Sequence, residues 1–261
     1  MFGKSAASLY DRCPAPDYSA VLRWIGRVAP RPGRACDVGC GTGSLMLHLS
    51  PIGWQGEGCD PSSAMVRAAR GKNPGARVVR AGTGDFRPSA GAVDLITATF
   101  DVVNHLPSRI AMRSFFRRAR GFLTPGGVLV FDSVTPDDID RNWRGYVEVD
   151  RPRGALLVRT GERLAPDRGA LTYEIFRRRP DGAWDLEVER HELRSASSDW
   201  FRGQLLRAGF ANVQFVDAVT LRAPTWRTVR WLVAARVPRR ASTPAPRAPA
   251  RSTPARARRL P

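Results

Sequence analysis

The chain has 261 residues, is 43% hydrophobic and carries a formal net charge of +18. That apolar content supports a sizeable core and excludes a wholly disordered chain, and no run of 18 apolar residues exists, so no membrane-spanning helix is expected. Of the 42 basic residues only Lys4 and Lys72 are lysine; this arginine bias suits a GC-rich coding sequence as well as it suits polyanion binding.

In chain order, residues 17–28 (DYSAVLRWIGRV) read as a helix, with Asp17 as N-cap and Val21, Leu22, Ile25 and Val28 on one face. A strand at 34–38 runs into ACDVGCGTGSL, and a helix follows Gly43. GWQGEGCD (53–60) reads as a second strand ending in Asp60, 62–70 as a helix, 76–80 as a third strand and 93–99 as a fourth. A helix at 107–123 and a strand at 125–133 follow, the strand after a Pro-Gly-Gly turn. Strand and helix alternate through five strands, which predicts a doubly wound parallel sheet with helices on both faces.

The rhythm then changes. Segments 154–164, 169–179 and 183–194 follow one another as strands, with DRG and PDG as turn signals, so a small antiparallel unit is expected within an insertion at 137–196. A helix at 197–210 and strands at 212–218 and 228–237 return to the main sheet. The division expected is a core over 1–136, the insertion, the end of the core over 197–237, and a basic tail over 238–261. That tail has seven arginines, no acid and Leu260 as its sole large aliphatic residue, so it is expected to be disordered. Cys13, Cys36, Cys40 and Cys59 form no CxxC pair and read as buried reduced thiols; His48 completes no ligand set, and no metal is expected. The N-terminal stretch lacks the apolar segment of a signal peptide, which favours the cytoplasm.

Gly39, Gly41 and Gly43 concentrate backbone freedom where the first strand turns into a helix. Such a cluster serves positive φ or close approach of a ligand to bare backbone N–H groups. Asp60 ends the second strand, where ligands of open parallel sheets bind, so its carboxylate is placed for ribose hydroxyls. The glycine spacing is GxGxG rather than the GxGxxG of dinucleotide folds.

ACDVGCGTGSL, GEGCDPSSAMV and LTPGGVLVFD together resemble the class I S-adenosylmethionine-dependent methyltransferases over roughly residues 8–237. The resemblance implies a seven-stranded sheet with its last strand antiparallel and S-adenosyl-L-methionine as cofactor. It implies that Gly39, Gly41 and Gly43 pass the amino-acid part of the cofactor, that Asp37 lies near the methionine moiety and that Asp60 holds both ribose hydroxyls. Met65 matches an apolar residue bordering adenine, or packs in the core. Where many relatives carry an Asp for the adenine amino group, this chain has Gly82. Asp85, three residues later, takes that role or is a loop carboxylate.

TATFDVVNHL, after the fourth strand, resembles small-molecule methyltransferases, including sugar N-methyltransferases. Asp94 reads as structural. Asp101, Asn104 and His105 are expected to face the acceptor, with His105 the candidate general base or a histidine satisfied by its loop. Tyr10 is a candidate to fold over the cofactor, with Tyr18 as its competitor. His191 is expected on the surface of the inserted unit. Arg153, Arg159, Arg163 and Arg177 are expected to point outward and make that unit a basic acceptor lid; the alternative is a sheet that supports the fold or a dimer contact. The expected function is methyl transfer to N or O of a small-molecule acceptor, with nucleic acid disfavoured. The alternatives are an RNA or protein methyltransferase, a nicotinamide-dependent oxidoreductase or a cofactor-binding protein without activity.

Overall fold

The computed structural model describes residue 11 and residues 17–151 and 154–239. Strands β1 (Arg34–Val38), β2 (Gln55–Asp60), β3 (Val78–Arg80), β4 (Val93–Ala98), β5 (Leu123–Val134), β10 (Ala211–Asp217) and β11 (Arg230–Arg236) form one sheet. Its order is β10-β11-β5-β4-β1-β2-β3. β1–β5 are parallel, while β11 runs antiparallel to both β5 and β10. The fold class is therefore the doubly wound α/β sheet expected, with its last strand antiparallel.

Helices α1 (Ser19–Val28), α2 (Ser44–Leu49), α3 (Ser63–Lys72), α4 (Arg109–Phe122), α5 (Pro136–Asn142) and α6 (Ser198–Arg207) have readable starts. Tyr18, not the expected Asp17, stands at the N-cap of α1 and makes no side-chain cap, while Asp17 Oδ1 accepts from Ser19 N–H (2.8 Å). Ser62, Ser108, Thr135 and Ser197 cap α3, α4, α5 and α6 by accepting a backbone N–H three residues on. Alternation in β5 and β11 splits the core between the two faces of the sheet. Leu129, Phe131 and Val233 join Phe115, Phe116 and Phe201 on one side. Val128, Val130 and Leu232 join Trp24, Ile25 and Leu49 on the other.

The insertion holds more than the sequence showed. Four strands, β6 (Tyr146–Asp150), β7 (Ala155–Ala165), β8 (Arg168–Arg178) and β9 (Trp184–Arg194), pair in order as one antiparallel sheet. β6 escaped notice because it is short and pairs on one side only. α5 escaped despite a Thr135–Pro136 start with Asp137 and Asp138 in its first turn. The helix expected to reach 210 ends at Arg207, where Gly209 turns the chain at φ 89°. β3 is three residues long because only Val78–Arg80 reach β2.

β9 ties the inserted sheet to the core. Arg194 N–H donates to the Asn104 carbonyl (2.8 Å). The Asn104 amide donates to the Arg194 carbonyl (2.8 Å) and to Ser133 Oγ (3.0 Å), and accepts from Val134 N–H (3.3 Å). Asn104 is therefore a buried clamp between the β4 loop, β5 and β9, not the acceptor-facing residue expected. Asp94 is structural, accepting from Arg34 N–H (3.0 Å) and Thr124 Oγ1 (2.9 Å). Cys36, Cys40 and Cys59 are free and buried; Cys13 lies outside the described residues, as do residues 240–261 of the expected tail.

Candidate active site

After β1 the chain goes outward through β2 and β3, then returns to β4 on the other side of β1. The crevice where these two paths part is the expected ligand position of such sheets. A cavity of about 500 Å³ lies there, within the range of small-molecule sites. Its walls come from the β1, β2, β3 and β4 loops and from β9.

At one end stands the glycine loop. Gly39, Gly41 and Gly43 have φ of 72°, 53° and 79°, the left-handed region. A Cβ on Gly39 would lie 2.4 Å from Val102 Cγ2, so only glycine lets the two loops close on each other. Gly39 and Cys40 N–H both donate to the Cys59 carbonyl (2.8 and 2.9 Å), which joins the loop to the end of β2. Asp60 accepts from Gly41 N–H (3.1 Å) and Ser62 N–H (2.8 Å). A carboxylate has about four acceptor sites, so lone pairs remain for a diol in the cavity. Burial raises the Asp60 pKa, and the two N–H donors partly offset that.

Gly39, Gly41, Asp60, Met65 and Gly82 line the cavity, with Pro61, Thr83 and Gly84 beside them. Gly43 begins α2 behind the wall. Asp37 also sits behind it, fully buried, accepting from Thr97 Oγ1 (2.7 Å); burial and the neighbouring Asp60 push its pKa up to about 7. Asp85 turns to its own loop and accepts from Gly82 N–H (2.6 Å). The cavity wall there is Gly82, Thr83 and Gly84.

At the other end the loop after β4 bends through Phe100 and Asp101, non-glycine residues with φ of 61° and 68°. Such strain persists where surroundings over-determine it. Here Arg230 clamps both Asp101 carboxylate oxygens (2.7 and 3.1 Å) and also bonds the buried Asp132. Burial opposes the Arg230 charge, and the two carboxylates more than offset it. Asp101 is thus spent on this clamp rather than aimed at an acceptor.

His105 lines the cavity beside Phe100, Val102 and Leu106. Facing it is His191 of β9, 5.5 Å between ring centroids and nearly perpendicular. His191 is 5% exposed, which corrects the surface position expected of it. Its Nε2 lies 3.1 Å from Glu189 Oε2, and the Tyr173 ring packs on its other side. Burial lowers the pKa of both histidines, Asp101 acting against the effect at His105 and Glu189 against it at His191. The site therefore holds two imidazoles that favour the neutral form.

Tyr10 lies outside the described residues, as does Arg153. Tyr18 is buried against Phe100, 4.9 Å between ring centroids. Asp11, which no pattern had marked, accepts from Thr42 Oγ1 (2.8 Å), Ser44 Oγ (3.0 Å) and Lys72 Nζ (2.6 Å), beside the glycine loop. Two of the arginines expected to point outward are paired within the insertion. Arg159 pairs with Glu148 and Asp150 at 2.8 and 2.7 Å, and Arg163 with Asp140.

The family model described as a methyltransferase domain matches residues 16–215. A trans-aconitate 2-methyltransferase of Acidovorax sp. (strain JS42) is 33% identical over 141 residues, 51% of this chain and 50% of that one. A dTDP-3-amino-3,6-dideoxy-alpha-D-glucopyranose N,N-dimethyltransferase of Streptomyces fradiae is 30% identical over 119 residues, 45% of each chain. The chain thus spans about half the length of these two curated relatives. The crystal structure of an S-adenosylmethionine-dependent methyltransferase of Clostridium acetobutylicum ATCC 824 superposes with a TM-score of 0.77 at 18% identity, covering 89% of this chain and 97% of that one. With the glycine loop, Asp60 and the sheet order already in place, the family match establishes that this chain belongs to the class I S-adenosylmethionine-dependent methyltransferases.

Proposed function

We propose that the chain methylates a nitrogen or oxygen of a small organic acceptor, bound against β9 and the β4 loop. The observation that carries this reading is one cavity with the glycine loop and Asp60 at one end and the facing pair His105 and His191 at the other. Relatives named for a tricarboxylate and for an amino sugar support a small molecule over nucleic acid.

S-adenosyl-L-methionine, when bound, supplies a methyl group on a positively charged sulfur. Gly39, Gly41 and Asp60 would hold its amino-acid and ribose parts, and Met65 and Gly82 its base. Gly43, Asp37 and Asp85 act from behind the wall, by shaping the loops. Much of the rate in such a displacement comes from alignment, worth roughly 7–11 kcal/mol at best. The acceptor must also lose a proton. A neutral His105 takes it, with His191 stacked at its edge and Glu189 holding the His191 ring; such a base is worth about 10²–10⁴-fold. We place this chemistry in the cytoplasm, a placement that cell fractionation tests. No helix among the described residues is long and apolar enough to cross a membrane.

Incubating the protein with isotopically labelled S-adenosylmethionine and a panel of amine, hydroxyl and carboxylate metabolites tests the reading by mass spectrometry. Labelled product from one class supports it. Label found only in RNA or protein overturns it.

A further inference from the structure

The stretch that follows β4 begins with a strained turn. Phe100 and Asp101 occupy the left-handed region in succession, with φ of 61° and 68°. Residues that carry a Cβ rarely do so. Phe100 lines the cavity, and so does His105, four residues beyond Asp101. The stretch is closed on itself, because His105 N–H donates to the Asp101 carbonyl (2.9 Å). The backbone of His105 therefore follows the backbone of Asp101.

Asp101 is fixed from outside the stretch. Its N–H donates to Asp132 Oδ1 of β5 (3.2 Å). Arg230, the first residue of β11, donates through Nη1 to Asp101 Oδ1 and to Asp132 Oδ2, and through Nη2 to Asp101 Oδ2. One guanidinium thus serves two carboxylates, but only Asp101 receives both of its arms. Balancing the charge of Asp132, whose side chain is 5% exposed, takes one positive charge, which an ammonium also supplies. Gripping both oxygens of Asp101 takes the planar fork of arginine. The fork exceeds what charge balance in the core requires.

We propose that Arg230 is a positioning residue for His105: its fork holds the turn at 100–101 in the left-handed form, sets the imidazole in the cavity and keeps the Asp101 carboxylate engaged elsewhere than on that ring. This rests on His105 as the base of the proposed reaction. The groups that face the ring are Asp101 from its own loop and His191 from β9, the latter held by Glu189. Arg190 and Glu192 of β9 share the cavity wall, and Asp132 and Arg230 stand behind Asp101. Asp101 favours the charged imidazolium, and His191 disfavours it. Without the fork, the turn relaxes and an unneutralised Asp101 acts on the ring. The base is then displaced, and more of it is protonated at a given pH.

Proton NMR titration of the full chain tests this without an acceptor. The sequence has three histidines, His48, His105 and His191, so His→Gln variants assign each ring. Arg230→Lys keeps a positive charge beside Asp132 and gives up the fork. Arg230→Met with Asp132→Asn removes the guanidinium and the buried charge together. Both are expected to bind S-adenosylmethionine within about threefold of wild type and to raise the His105 midpoint by about half a pH unit or more, with His48 unmoved. Adding Asp101→Asn to the double variant is expected to bring the midpoint back to the wild-type value or below. On the acceptor found with the labelled panel, Arg230→Lys is expected to lower kcat about tenfold or more, as displacement of a base does. A His105 midpoint within about 0.1 pH unit of wild type in both variants overturns the proposal. So does loss of cofactor binding in both, since the clamp then serves the fold alone. A shifted midpoint with kcat unchanged also overturns it where His105→Ala lowers kcat. Where His105→Ala leaves kcat unchanged too, the base assignment is what fails, and the shifted midpoint still supports Arg230 as the residue that places His105.

Discussion

The two sheets of this protein solve opposite problems. The seven-stranded sheet is buried on both faces, and its parallel strands are short apolar runs whose ends carry the glycine loop and Asp60. The four-stranded sheet is antiparallel and mixed on both faces: the inward one buries Leu157, Ile175 and Leu193 beside His191, while the outward one leaves Trp184, Leu186 and Val188 exposed. Under the proposed function each sheet answers for one end of the cavity: the first would hold the cofactor, and the second would shape the acceptor end through β9. The polar groups on the inward face are stable because they find partners there, as His191 finds Glu189 and Arg159 finds Glu148 and Asp150.

That division predicts which constants each substitution moves. The largest effect is expected from His105→Ala, a fall in kcat of about 10²-fold or more with cofactor affinity unchanged; activity within about twofold of wild type across pH would take His105 out of the chemistry. With His105 favouring its neutral form, the acid limb of the kcat profile should lie below the pKa of ~6.5 of free histidine. His191→Ala should share the kcat–cofactor split, and a shift in cofactor affinity there would break the division between sheets.

Next comes Asp60→Ala, expected to weaken S-adenosylmethionine binding by about 1–3 kcal/mol because buried hydroxyls lose a charged acceptor. Isothermal titration calorimetry checks it, and an unmoved affinity would remove Asp60 from the ribose site. Asn104→Ala removes the clamp between the sheets and strands buried partners on β5 and β9. A loss of about 1–3 kcal/mol in denaturant unfolding is expected, and an unchanged midpoint would mean that β9 docks without it.

Asp37 sharpens the comparison through pH. Its folded pKa, near 7, exceeds the ordinary 3.8, so the folded state holds a proton that the unfolded state releases. Stability contributed by this group is therefore full below about pH 4 and lost as pH rises toward 7. Asp37→Asn keeps an acceptor for Thr97 and should flatten that decline in melting temperature; an identical slope would show that Asp37 is not the group responsible. The smallest effect is expected from ending the chain at Val237, whose backbone pairs with Gly126 and Gly127 complete the core. kcat should stay at the wild-type value, and a large loss would give the tail a part in the site.

Much of the cofactor end is legible in the sequence because its parts are local. A glycine cluster, an acid at a strand end and Ser or Thr caps act within a few residues of where they are written. The acceptor end is assembled from segments about ninety residues apart, and its signals are ambiguous. In DLEVERHELR the period of two separates two faces without saying which is inside, and the usual expectation puts Leu186 and Val188 in and His191 out. Docking of β9 onto Asn104 reversed that. Likewise Asp101 and Asn104 carry acceptor-like chemistry, but Arg230, 129 residues away from Asp101, and Arg194 claimed them.

The sequence by itself determined the alternation of strands and helices and the glycine loop, because backbone sterics and side-chain period act over short spans; the seven-stranded sheet with its antiparallel last strand came from the resemblance to the methyltransferases. Tertiary structure alone decided which face of β9 sees the site, which carboxylates are spent on clamps and that Arg159 and Arg163 are neutralised. Those outcomes depend on burial and on partners brought together by chain closure, and neither is a property of any single segment.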